Sequence, residues 1–79
     1  MPRYFFHTQF GEEMLKDESG LVLRDPDAAW EKAQALAAAL LATQAGDARL
    51  LAAVIAVYDE AGEIVLEFPV SEAVRHEGQ

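Results

Sequence analysis

The sequence predicts a small α+β domain of ββαββ type, a four-stranded antiparallel sheet with one helix packed on one face. Three observations predict it. The chain opens on an aromatic, alternating run, Tyr4-Phe5-Phe6-His7-Thr8. Asp25-Pro26-Asp27 then precedes a long alanine-rich stretch, and two apolar segments near the end are separated by Asp59-Glu60-Ala61-Gly62.

Aromatic and β-branched residues fit a pleated, half-buried surface, so residues 4–8 read as a strand that ends in a turn at Gly11. Alternation sets Tyr4, Phe6 and Thr8 on one face and Phe5, His7 and Gln9 on the other. A polar loop containing Met14 and Leu15 follows. Asp17-Glu18-Ser19-Gly20 then turns the chain into a short second strand, Leu21-Val22-Leu23, antiparallel to the first.

Asp25-Pro26-Asp27 marks a helix start. It combines an N-cap carboxylate, a proline where the missing N–H costs nothing, and an acid on the positive end of the helix dipole. The helix is expected over residues 26 to about 45, closed by Gly46. Ala29, Trp30, Ala33, Leu36, Ala37, Leu40 and Leu41 fall within an arc of roughly 120–140°, which is the face set against the sheet. Trp30 is expected to be the largest plug at the N-terminal end of the helix.

The final hairpin pairs residues 53–58 with 63–68. Asp59 at the start and Gly62 at the end of the connection suit a type I turn with a bulge at the glycine. Strict alternation places Ile64, Leu66 and Phe68 toward the helix and Glu63, Val65 and Glu67 toward solvent. Pro69 limits the strand, and Ser71-Glu72-Ala73-Val74 is expected to begin a helical turn before a frayed tail, 75–79.

All 79 residues are expected to form one domain with a single core. A chain this short buries only about 60% of its unfolded surface, which leaves a net stability of roughly 3–5 kcal/mol. The chain has no cysteine, so disulfides and thiolate metal sites cannot supplement that core. Oligomerisation is the remaining device.

Six Lys+Arg against fourteen Asp+Glu give a net charge of -8, a field that repels phosphate backbones and anionic lipid. No nucleic-acid or membrane partner is expected. Met1-Pro2-Arg3 leads directly into the first strand without an apolar signal region, and Gln44, Gly46, Asp47 and Arg49 interrupt the long apolar stretch. Neither half of that stretch reaches the ~20 residues of a spanning helix, so a cytoplasmic location is expected.

The opening Met-Pro-Arg-Tyr-Phe-Phe-His, the Gly11 turn and the Asp17-Glu18-Ser19-Gly20-Leu21 segment recur in a known family. So do Asp25 ahead of Ala28-Ala29 and the closing Asp59-Glu60-Ala61-Gly62-Glu63-Ile64-Val65-Leu66. In these the chain resembles a family of short bacterial proteins described as a domain of unknown function. The resemblance spans nearly the whole chain and implies a free-standing small protein, with no activity or catalytic residue to carry over. One departure is the alanine-rich segment 33–42, where such proteins carry more Arg and Glu.

The residues offer little chemistry. His7 and His76 have no second histidine or carboxylate at metal-site spacing, and the acidic loop of Glu12, Glu13, Asp17 and Glu18 lacks the alternation of a calcium loop. Ser19 and Ser71 sit at turns, with no nucleophile motif or phosphate-cradling glycine loop around them. No catalytic residue, metal or cofactor, and therefore no enzyme, is expected.

The candidate interaction face is Phe5, His7, Tyr58 and Val65, which alternation sets on the side of the sheet away from the helix. The function expected from it is that of a cytoplasmic interaction module, a homo-oligomer or homodimer or the binder of another protein. The alternative is a small-ligand binder or minor enzyme with a cleft near Trp30 and the hairpin loops.

Overall fold

The computed structural model describes residues 1–43 and 47–73. Strand β1 (Arg3–Phe10) runs through the middle of an antiparallel sheet. On one side it pairs with β4 (Val54–Tyr58), which pairs in turn with β5 (Ile64–Pro69). Its other side is shared by two short strands. β2 (Glu13–Leu15) lies along its C-terminal half and β3 (Leu21–Val22) along its N-terminal end. The architecture is the α+β one the sequence predicts, with β2 as an added strand in the loop that holds Met14 and Leu15. Gly11, at φ +58 in the first position of the two-residue connection from Phe10 to Glu13, lets the chain reverse there.

Helix α1 (Pro26–Thr43) begins where the cap signal places it: Ala28 N–H donates to the Asp25 carboxylate at 2.8 Å. That bond, assisted by Arg24, holds the Asp25 carboxyl below its ordinary value. The expected closure at Gly46 and the expected frayed tail 75–79 lie outside the described residues, as does His76. A 3₁₀ turn, Ala48–Ala52, follows the helix. Asp47 caps it by accepting Arg49 N–H at 3.0 Å, and the turn delivers Leu50 into the interior. Beyond β5, Ser71–Ala73 begins a helical turn, with Ala73 N–H donating to Val70 C=O at 3.0 Å.

The helix lies over β4 and β5. Ala29, Ala33 and Ala37 are wholly buried against Tyr4, Phe6, Ile55, Val57 and Phe68, while Leu36, Leu40 and Leu41 flank them half-buried. Trp30 corrects one expectation. The stripe set against the sheet is Ala29, Ala33 and Ala37, all wholly buried, and Trp30 projects to one side of it. Trp30 therefore sits at the rim, 39% exposed, with its ring edge-on to Phe68 at 5.6 Å.

The last hairpin also departs from strict alternation. Val57 pairs with Leu66 but Tyr58 pairs with Ile64, so β5 carries one extra residue, Val65, in a bulge. The bulge exchanges two side chains. Ile64 turns away from the helix and is 51% exposed, whereas Val65 is half-buried and packs against the core. The connection itself is as expected: Gly62 N–H donates to Asp59 C=O at 3.0 Å, Gly62 has φ +83, and the Asp59 carboxylate accepts from Ala61 and Glu63.

Among the described residues, no helix is long and apolar enough to cross a membrane.

Candidate interaction face

The sheet face opposite the helix is built in three rows across β1, β4 and β5. The strand registers set Phe5, Tyr58 and Ile64 in the first, His7, Ala56 and Glu67 in the second, and Gln9, Val54 and Pro69 in the third. Phe5, His7 and Tyr58 share this face as the alternation implies, and the His7 and Tyr58 rings stand 5.2 Å apart at 44°. Ile64 takes the place expected for Val65, because the bulge inverts the alternation at that point. Ala56, small and 6% exposed, forms a floor between His7 and Glu67.

The edge of this face is secured by Asp17, in the gap between β2 and β3. Its Oδ2 accepts Phe6 N–H at 3.2 Å, and its Oδ1 accepts Ser19 N–H at 3.2 Å and Gly20 N–H at 3.1 Å. One carboxylate thus replaces the strand that would otherwise satisfy β1 there and also folds the 17–20 turn. Partial burial raises the Asp17 carboxyl, but the Gly20, Phe6 and Ser19 donors and the nearby His7 outweigh it and hold it below its ordinary value.

Asp17 N–H donates in turn to His7 Nδ1 at 3.0 Å. An accepting Nδ1 leaves the imidazole proton on Nε2, which has no acceptor among the described residues. Gly20 completes the junction. Its φ is +73, and a Cβ there would meet Arg3 Cγ at 2.8 Å and Phe5 Cε2 at 2.9 Å. Arg3 lies across the same turn and donates from Nη1 to Ser19 C=O at 2.8 Å.

This Asp17–His7–Gly20 junction was not read from the sequence as a unit. The signal was an Asp with Ser and Gly two and three residues on, the pattern of a carboxylate that accepts its own downstream N–H groups. Its reach to Phe6 and His7 depends on long-range pairing.

On the helix side, β1 and its short neighbours are less covered, and two cavities open there. One, of about 580 Å³, lies among Phe10, Leu15, Leu40, Arg49 and Leu50. The other, of about 440 Å³, lies among Phe6, Thr8, Leu21, Lys32, Leu36 and Leu40. Trp30 lines neither cavity. Among the described residues no three His, Asp or Glu side chains converge on a possible metal position.

No curated protein and no solved structure matches the chain. One family model does match, over residues 3–71, and its description is Domain of unknown function (DUF6894).

Proposed function

Taking as premise that the chain belongs to the DUF6894 family, we propose that it is a non-enzymatic, cytoplasmic interaction module that self-associates through the sheet face opposite the helix. The observation carrying this reading is the uncovered row Phe5, Tyr58, Ile64 with His7 beside it, on a two-layer fold whose only long helix among the described residues lies on the other side. Burying such groups against a second copy stabilises by roughly 25 cal/mol per Å² of apolar area, which a core of this size can use. A two-fold dimer is the commonest closed arrangement, since the same patch then covers itself.

Each copy carries a net charge of -8, so added salt strengthens the association by screening the repulsion. Light scattering of the wild type beside Tyr58→Glu tests the reading, with circular dichroism to show that the variant is folded. The wild type is expected at the mass of a dimer and the folded variant at that of a monomer. A wild type that stays monomeric at high concentration, or a glutamate variant that associates equally well, overturns it.

A further inference from the structure

Within the three-row face, the middle row carries a donor and an acceptor on opposite flanks: His7 on β1 and Glu67 on β5, on either side of Ala56 on β4. Nε2–H of His7 is a donor and the Glu67 carboxylate an acceptor, and neither has a hydrogen-bond partner among the described residues. Donor and acceptor stand symmetrically about β4. The apolar row repeats the arrangement, with Phe5 and Ile64 on either side of Tyr58, and the third row sets Gln9 and Pro69 about Val54.

We infer that the second copy docks face to face about a two-fold axis parallel to β4, so that His7 of each chain meets the partner's Glu67 and Phe5 meets the partner's Ile64. The inference rests on the self-association proposed above and specifies its geometry. Rotation about an axis along β4 exchanges the β1 and β5 sides while keeping every row at its height. Each unpaired donor then faces an unpaired acceptor twice, and Tyr58, Ala56 and Val54 meet their own mates on the axis.

The other face-to-face two-fold, running along the middle row, sets Glu67 against the partner's Glu67. That is a like-charge contact which counts against it. Twist does not spoil the pairing. Sheets packed face to face cross at about 30°, which at a strand spacing of about 4.8 Å displaces facing residues by about 3 Å. Successive rows on one face are about 6.7 Å apart, so each residue still faces its own row.

The chain has no cysteine, so introduced ones can be cross-linked without background. With a short bismaleimide, Ala56→Cys alone is expected to cross-link to a dimer and Glu67→Cys alone is not, whereas a mixture of Glu67→Cys and His7→Cys chains cross-links. Glu67→Gln, an exposed change that leaves the His7–Asp17 bond intact, is expected to weaken dimerisation about ten-fold through two lost charge-assisted hydrogen bonds. If wild type dimerises but Glu67→Cys cross-links to itself, or Glu67→Gln dimerises like wild type, the geometry is wrong and the self-association stands. If wild type is monomeric and Ala56→Cys does not cross-link, both fall.

Discussion

Replacing Asp17 by Ala removes three hydrogen bonds at once while leaving the backbone N–H that His7 accepts. Two of the three, from Phe6 and Gly20, are partly buried, and the third, from Ser19, is exposed. Water replaces the exposed bond at little cost, and each partly buried one is worth about 1 kcal/mol after discounting for solvent. The loss of about 2 kcal/mol is about half of the roughly 3–5 kcal/mol available to a fold of this size. With a urea dependence of about 1 kcal/mol per M, the unfolding midpoint should fall by about 2 M.

Amide exchange at Phe6 should accelerate in step, because its N–H on β1 loses its acceptor. Asp17→Asn, which keeps one accepting oxygen, should fall between the two. The folded Asp17 carboxyl lies below its unfolded value, so its contribution is present above the unfolded value and is lost as pH falls through the folded one. Wild type should therefore lose part of its stability below about pH 4, and Asp17→Asn should lack that component. A midpoint within about 0.5 M of wild type, with Phe6 exchange unchanged, would show that Asp17 does not hold the edge of the sheet.

Gly20→Ala should cost about 2 kcal/mol or more, combining left-handed strain with a Cβ driven into Arg3 and Phe5. Gly62→Ala has similar strain but open space, and should cost only about 1 kcal/mol; equal melting temperatures for the two would refute the contact at Gly20. Ile55→Ala empties a wholly buried site and should cost about 2–5 kcal/mol, leaving the chain largely unfolded by circular dichroism. Leu40→Ala, half-buried at the edge of the core, should remain folded, and a larger loss there than at Ile55 would overturn the assigned core.

How much of this was legible depends on how local each cause is. The helix start at Asp25-Pro26-Asp27 and the Asp59–Gly62 connection were readable because their hydrogen bonds join residues within about one turn of each other. Tyr4, Phe6, Ile55, Val57 and Phe68 were readable as core because strand alternation carries the information over each strand's length. Strand β2 was not, since three residues offer too little periodicity to register and only pairing with Thr8–Phe10 makes them a strand. The family resemblance agrees with the matched model but, like it, brings no activity.

By itself the sequence determined the α+β class, the helix position, the closing hairpin, and the face that carries Phe5, His7 and Tyr58. Those follow from propensity, caps and period, which act between neighbours. Tertiary structure alone decided that Trp30 sits at the rim, because which stripe of the helix meets the sheet depends on how Ala29, Ala33 and Ala37 seat on the strands beneath them. It also decided that Ile64 replaces Val65, since the one extra residue in β5 inverts the alternation between Leu66 and Ile64 while Leu66 and Phe68 keep their faces. Asp17 came to His7 in the same way, through a bond that spans ten residues of sequence and forms only once β2 and β3 have taken their places along β1.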